Sequence, residues 1–284
     1  MRRVGRVPLL TLCLLLCVGI CVLRAAQRAT GSSTSSATVK FATPVPPAPL
    51  FFREEWRQTS PFDATTNFEP ERPLTPAALT HPDLELHLHD PHAREIPGFL
   101  KAPPADTRAR DWGGPSCVQL AGYNQNARPA KVVAGQPTDP PNLWTGACQG
   151  PVAVTLRHRT KLVDLSGLAR IRWTTRTSGL HVVRPLLKLS NGTWLVGDYA
   201  EGAASSNSTL FLETEFALAN VRWLSLDINR VVTRGTWIEK PDLTRVDEVG
   251  FADLTPGSGH GWGGFVNVAR IEVYGRGVAR SPSR

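Results

Sequence analysis

Hydrophobic and polar residues alternate with a period of two along several short segments of the chain. In residues 170–176, Ile171 and Trp173 alternate with arginines and a threonine. Period two places one face of a strand against a core and the other face in water, as in antiparallel sheets. Trp173 is therefore predicted to lie in the core. The same alternation recurs in residues 84–89, 210–218 and 224–228.

Local sequence adds three predictions about individual positions. Asn191-Gly192 separates two hydrophobic runs and predicts a tight hairpin turn, because both residue types tolerate positive φ. Trp223 lies in the opposite phase to Leu224, so its side chain is predicted to face outward or to line a second face. Since no long window repeats at i, i+3, i+4 and i+7, helix is scarce, with one short turn predicted near Asp242–Val246.

These segments predict an all-β fold, an antiparallel β-sandwich or jelly roll, over residues 83–277. At least eight short strands occur in this range, and they do not alternate with helical patterns. Residues 31–82 are predicted to form a low-complexity linker followed by an extended aromatic segment. Residues 278–284 are predicted to form a disordered tail.

The first 30 residues are predicted to direct the chain out of the cytoplasm. Three arginines in residues 1–6 precede a predominantly apolar run over residues 7–23, a pattern typical of an export signal. Arg24 interrupts the approach to the small residues behind it, so an uncleaved membrane anchor is the alternative to a cleaved signal. The body of the protein is expected to be secreted, periplasmic or extracellular, and membrane contact is expected only through residues 7–23.

Net charge argues against a nucleic-acid partner. The chain has 32 Lys and Arg against 24 Asp and Glu, a formal charge of +8. Four of the arginines lie at positions 2, 3, 6 and 24, which leaves 28 basic against 24 acidic residues. That excess is small and scattered, unlike a phosphate-binding surface.

The number and positions of the cysteines are consistent with export. Three of the five lie in the leader, which leaves Cys117 and Cys148 in the body of the chain. A single pair in an oxidising compartment predicts a disulfide. A metal site or a catalytic thiol is the alternative, although the chain has no CxxC motif.

The C-terminal strand pattern resembles a known family of folds. Val246–Leu254 is followed by a glycine-rich loop and then by Val268–Gly275, and Val163–Trp173 precedes them. This arrangement is similar to galactose-binding-like jelly rolls, which include several carbohydrate-binding modules. The resemblance covers about residues 110–277, and it implies a ligand on loops at one end of the sandwich or on a sheet face. No binding residue of the family is carried over, because no ligand motif matches.

The glycine-rich loop over residues 255–265 is the most unusual stretch. Its glycines permit close approach of a ligand to the backbone, and the loop would present His260 and Trp262. The alternative is an ordinary connection between strands. The spacing of its glycines matches GxGxxG, but no helix follows to face a phosphate, which argues against dinucleotide binding.

Tryptophan suggests carbohydrate as the ligand. All eight tryptophans lie outside the leader, and flat indoles suit the apolar faces of sugar rings. Trp144, Trp237 and Trp262 lie in turn-rich sequence and are predicted stacking platforms, with Asp253 and His260 hydrogen-bonding to hydroxyls. Packing in the core is the alternative for each tryptophan.

Two polar groups suggest other chemistry. His87, His89 and His92 form an H-x-H-x-x-H run, which fits either a solvated strand face or a metal site. The acidic residues suit surface solvation or a structural Ca²⁺ ion, and a pair of them would suit glycoside hydrolysis. Those carboxylates are Glu213, Glu215, Asp242, Asp247, Glu248 and Asp253.

The leading hypothesis is an exported, non-catalytic module that binds carbohydrate or a cell-envelope glycan through the Trp/Gly-rich loop end. No cofactor is expected apart from the Ca²⁺ alternative. A glycan-active hydrolase that uses paired carboxylates is one rival, and a cell-envelope protein-interaction domain is the other. No nucleophile elbow, HExxH or Walker A motif supports a further enzyme class.

Overall fold

Antiparallel strands dominate the computed structural model, which describes residues 46–57, 72–92, 116–121, 140–199, 210–255 and 264–280. All of them lie in one unit that spans Val45–Arg284. Within these ranges, two short 3-10 helices occupy Pro76–Ala78 and Leu218–Asn220. The strands in these ranges are β1 Leu50–Glu54, β2 Arg72–Pro73, β3 Leu84–His89, β4 Gln119–Ala121, β5 Asn142–Trp144, β6 Val152–His158, β7 Lys161–Asp164, β8 Arg170–Gly179, β9 Arg184–Leu189, β10 Trp194–Gly197, β11 Leu212–Ala217, β12 Trp223–Asp227, β13 Val232–Ile238, β14 Val246–Asp253, β15 Gly264–Tyr274 and β16 Arg276–Ala279.

The strands form two antiparallel sheets. Sheet A has the order β11-β8-β15-β5-β4-β2, and β1 also pairs with β15. Sheet B has the order β13-β12-β10-β9-β14-β6-β3, and β7 joins it by pairing with β14 and β16. The two sheets pack face to face around one main core, so the prediction of an antiparallel β-sandwich of the jelly-roll kind is confirmed.

The main core follows the predicted alternation. Trp173 on β8 is fully buried and packs against Phe216 on β11, with ring centroids 4.8 Å apart. Phe52 and Trp56 lie in the stretch that the sequence predicts to be an extended aromatic segment, and both side chains are buried in this core. The sandwich thus draws on residues ahead of position 83, because β1 adds to sheet A through β15.

Two local predictions have different outcomes. The Asn191-Gly192 turn is confirmed, since it joins β9 to β10 and Gly192 has a φ of +89°. The helical turn predicted near Asp242–Val246 is wrong: residues 242–245 form no helix, and Val246 begins β14.

Of the two orientations predicted for Trp223, the outward one is wrong. Its side chain is buried in the main core, whereas Leu224 and Leu226 on the same strand face outward. On the outer face of sheet B, Leu226 joins a second apolar cluster with Leu186 and Val196. Because both faces of β12 bury apolar residues, the alternation could not show which face meets the main core.

The predicted disulfide is present. Cys117 and Cys148 are bonded, with 31 residues between them in sequence and their Cα atoms 5.0 Å apart. The bond joins the segment before β4 to the turn after β5. Both cysteines are buried.

Several predictions lie outside the described residues. These are the leader with its apolar run over residues 7–23, most of the linker, and the loop residues His260 and Trp262. Across the described parts of the chain, no helix has the length and apolar character needed to cross a membrane.

Candidate functional site

A row of side chains crosses the outer face of sheet B, and we call it the Glu248 row. Its members are directly opposite one another on five neighbouring strands. Directly opposed residues share a face of a sheet, so the row forms one continuous surface. From β3 to β10 its members are Glu85, Arg157, Glu248, Lys188 and Trp194.

Glu248 is the electrostatic centre of this row. Its side chain is only 1% exposed, and its carboxylate accepts three hydrogen bonds. The donors are His87 Nδ1 at 2.9 Å, Thr155 Oγ1 at 2.6 Å and Lys188 Nζ at 2.7 Å. Burial acts to raise the pKa of Glu248, but hydrogen bonds from His87, Lys188 and Thr155 outweigh it and lower the pKa to about 2. Glu248 is therefore ionised at neutral pH and fixed in orientation.

The histidines of the H-x-H-x-x-H run flank this carboxylate. The hydrogen bond to Glu248 raises the pKa of His87, whereas burial lowers the pKa of His89. His89 Nε2 lies 3.3 Å from Thr155 Oγ1, and its ring meets Trp194 edge-on at 5.0 Å. Among the described residues, no group of three His, Cys, Asp or Glu side chains is arranged to hold a metal ion. His87 and His89 thus contribute to a polar network on the sheet face.

The opposite pKa shifts of the two histidines predict opposite effects on stability. The raised pKa of His87 means that its contribution is present below pH 6.5 and is lost as the pH rises through the folded-state value. His87→Ala is therefore expected to flatten the decline in stability above pH 6.5. Urea unfolding between pH 5 and 8.5 measures this slope. His89→Ala is the contrasting variant, because a lowered pKa costs stability as the pH falls below 6.5. An unchanged slope above pH 6.5 in His87→Ala would contradict the assignment.

Trp194 and Lys188, which are both partly exposed, complete the row. The ammonium of Lys188 lies 5.4 Å from the centre of the Trp194 ring, within cation–π range. Lys188 also pairs with Asp247 at 3.6 Å, in addition to Glu248. An indole beside fixed donors and acceptors offers both an apolar surface and directed hydrogen bonds.

Trp237 lies on the same face at the edge of the sheet. It is opposite Leu224, which is opposite Val196, two residues after Trp194 on β10. Its side chain is 47% exposed, and the Arg222 guanidinium lies 4.5 Å above its ring. A groove of about 550 Å³ adjoins it, lined by Trp237, Arg222, Glu239, Lys240 and apolar residues. Of the tryptophans predicted as platforms, Trp237 has the exposure that stacking requires.

Trp144 and Asp253 are brought to one end of the sandwich, where both are buried. Asp253 Oδ2 accepts hydrogen bonds from His181 Nδ1 at 2.7 Å and from Thr145 Oγ1 at 3.1 Å. Trp144 precedes Thr145 and packs edge-on against Phe265. The two residues tie β14 to β5 and β15, and neither belongs to the Glu248 row.

The acidic residues considered for hydrolysis are divided between the sheets. Glu213 and Glu215 lie on β11 of sheet A, while Asp247 and Glu248 lie on β14 of sheet B. Partial burial acts to raise the pKa of Glu215, but hydrogen bonds from Arg172 and Arg170 outweigh it and lower the pKa. A general acid in glycoside hydrolysis needs a raised pKa, which neither Glu215 nor Glu248 has.

The chain is similar to known proteins in its structure and not in its sequence. No protein-family model matches it, and no curated protein is significantly similar in sequence. One similar solved structure is the family 11 carbohydrate-binding module of cellulase Lic26A-Cel5E from Clostridium thermocellum, at 13% identity over 72% of this chain and 95% of the module, with a TM-score of 0.34. The module from that organism in complex with a β-1,3-1,4-mixed-linked tetrasaccharide gives 14% identity, the same coverage and a TM-score of 0.34.

A further similar structure is the carbohydrate recognition domain of Emp47p. It is 9% identical over 55% of this chain and 96% of that domain, with a TM-score of 0.28.

Proposed function

We propose that the chain is an exported, non-catalytic β-sandwich module that binds carbohydrate on the outer face of sheet B. The observation that carries the proposal is the Glu248 row, which places a buried and fully hydrogen-bonded carboxylate in line with Lys188 and Trp194. Trp237 extends the same face to the edge strand.

The chemistry of this face suits a polyhydroxylated ligand. Sugar rings have apolar C–H faces, which pack on indoles, and hydroxyls that both donate and accept hydrogen bonds. Lys188, Arg157 and His87 supply donors, and Glu85 supplies acceptors. Because ion pairs already hold these groups, a ligand would meet them in fixed positions, and little side-chain entropy would be lost on binding.

The size of the face suits a chain of sugar units rather than a single one. Six strand spacings separate β3 from β13, which corresponds to about 29 Å at 4.8 Å each. The partly buried indole of Trp194 and the exposed indole of Trp237 occupy the part of this span near β10 and β13. A linear glycan lying across the strands would therefore contact the charged half of the row and both tryptophans.

Export is part of the proposal and has separate support. The apolar run over residues 7–23 follows a basic segment in the sequence. The Cys117–Cys148 disulfide is typical of proteins in oxidising compartments. Immunodetection of the full-length chain in culture medium, envelope and cytoplasmic fractions tests this point, and a purely cytoplasmic chain would contradict it.

Loss of either indole, that of Trp194 or that of Trp237, is expected to weaken glycan binding about tenfold, and loss of both by about a hundredfold. A stacked aromatic contributes about 1.5 kcal/mol, and 1.4 kcal/mol corresponds to a factor of ten in affinity. Trp194→Ala, Trp237→Ala and the double variant are compared with the native protein by affinity electrophoresis in gels containing soluble glucans, mannans, xylans and galactans. Isothermal titration with the matching tetrasaccharides gives the dissociation constants.

Leu180→Ala is the matched control, because Leu180 is 86% exposed and lies between β8 and β9, outside the Glu248 row. Its affinity should equal that of the native protein. Equal binding by the native protein and the double tryptophan variant would contradict the proposed surface. Release of reducing sugar from the same polysaccharides would contradict the non-catalytic assignment.

A further inference from the structure

A second concave site lies on the other side of the molecule, on the outer face of sheet A. It is a cleft of about 510 Å³, which we call the Arg270 cleft. None of its residues belongs to sheet B. Its lining includes Glu55, Trp56, Thr174, Phe211, Glu213 and Arg270.

Three opposed residues form one wall of the Arg270 cleft. Thr174 on β8 lies between Glu213 on β11 and Arg270 on β15, and it is directly opposite both. Arg270 reaches across it to pair with Glu213, and its other terminal nitrogen lies 3.8 Å from Glu55. The buried Thr174 hydroxyl has no hydrogen-bond partner within the described part of the chain.

The backbone is irregular on both sides of this wall. Val268 is opposite Thr175 and Arg270 is opposite Thr174, so Ala269 is an extra residue that forms a β-bulge. Trp56 has a φ of +54°, which is costly for a bulky residue, and its Nε1–H donates to Val268 O at 2.8 Å. Bulges and strained residues concentrate at functional sites, and here both line the same cleft.

The lining chemistry favours a neutral ligand over an ionic one. A cation would meet Arg270, and an anion would meet Glu55 and Glu213, both of which are half exposed. The paired guanidinium and carboxylates place donors beside acceptors, which matches neighbouring hydroxyls on a sugar ring. Pro140, Pro141 and Phe211 supply apolar walls for its C–H face.

We propose that the Arg270 cleft is a second saccharide site, which takes one neutral sugar unit, and that the module is therefore bivalent. This inference rests on the proposed function in that both sites bind glycan. The two sites lie on opposite faces of the sandwich, so they would engage different chains or different branches of one polymer. Linked sites of this kind gain avidity without any new contact.

The test is an NMR titration of ¹⁵N-labelled protein with the methyl glycosides of glucose, galactose, mannose and xylose. We expect saturable shifts of the Trp56 Nε1–H and Arg270 Nε–H signals for at least one of them. Affinity should be in the millimolar range because a single sugar unit makes few contacts. The Trp194→Ala/Trp237→Ala variant should give the same shifts. Shifts that vanish in this variant would overturn the independence of the second site.

Matched variants on one strand separate binding from stability. Glu213→Gln removes the charge that pairs with Arg270 and should weaken sugar binding at least tenfold. Glu215→Gln, two residues further along the same face of β11, pairs with Arg172 outside the cleft and should bind as the native protein does. Arg270→Lys should weaken binding as well, because lysine lacks the planar guanidinium that donates two parallel hydrogen bonds. Equal affinity in Glu213→Gln and Glu215→Gln would overturn the proposal.

The failure of this inference is distinguishable from the failure of the proposed function. If the NMR signals of Trp194 or Trp237 shift on titration while those of Trp56 and Arg270 do not, the second site is overturned and glycan binding by the protein is not. Preferential binding of glucuronate or glucosamine at the cleft overturns the assignment of a neutral ligand. If no glycan in either experiment binds anywhere, the proposed function is overturned together with the second site.

Discussion

Removing the Cys117–Cys148 disulfide is expected to destabilise the domain by about 3–4 kcal/mol. The bond closes a loop of 31 residues and so restricts the unfolded chain, which is the main source of stability from a cross-link in the chain-entropy model. The two segments that it joins have little other connection, since β4 and β5 pair through only three residues each. Urea unfolding of the Cys117→Ser/Cys148→Ser variant measures the loss directly.

A chemical control accompanies that substitution. Native protein treated with reducing agent should unfold at the same urea concentration as the double variant, because both lack the same bond. The variant should be insensitive to the reducing agent. Agreement between oxidised native protein and the double variant, within about 0.5 kcal/mol, would show that the bond has no such role in stability.

Glu248→Gln is expected to lower the free energy of unfolding at pH 7 by about 3 kcal/mol. The folded carboxyl has a pKa of about 2 against 4.5 for the unstructured group, and a tenfold change in proton affinity corresponds to about 1.4 kcal/mol. Glutamine keeps the shape but cannot carry the charge that His87 and Lys188 stabilise. It also leaves Lys188 close to an uncharged, buried partner.

The same lowered pKa predicts how stability depends on acid. A lowered folded-state pKa contributes stability that is fully present above pH 4.5 and is lost as the pH falls through about 2. Urea unfolding from pH 7 to pH 2 should therefore show a steep decline for the native protein and a shallower one for Glu248→Gln. Glu239→Gln is the control, because Glu239 is exposed and its loss should leave the decline unchanged. Parallel curves for Glu248→Gln and the native protein would contradict the assignment.

The fold was predictable where neighbouring residues decide the structure. The alternation around Trp173 and the Asn191-Gly192 turn each depend on a few consecutive residues, and both are confirmed. The phase of Trp223 left two orientations open, because sheet B buries apolar side chains on both faces and phase alone does not identify the core side. β1 could not be predicted for a different reason. Its partner strand β15 lies more than 200 residues away in sequence, so no local pattern shows that the two strands pair.

The candidate site was predictable as separate residues but not as a site. The H-x-H-x-x-H run identified His87 and His89, and Glu248 was among the candidate carboxylates. Their meeting depends on the strand order β9-β14-β6-β3, and 161 residues separate His87 from Glu248. Trp194 was not selected as a platform, and its only sequence signal is a position just after the hairpin turn. Its place beside Lys188 follows from the register of β9 and β10.

The strands at the two ends of the described chain meet at one end of the sandwich. Gly275 N donates a hydrogen bond to Pro49 O at 2.9 Å. β16 pairs with β7, and β7 pairs with β14 at Val246, which is the end of β14 opposite to Asp253. β15 runs for 11 residues, about 35 Å, from there to Gly264. A reporter enzyme or second module fused before residue 46 or after residue 280 would thus be attached on the same side. For the same reason, the domain suits insertion into a surface loop of a host protein, with its opposite end held clear of the junction.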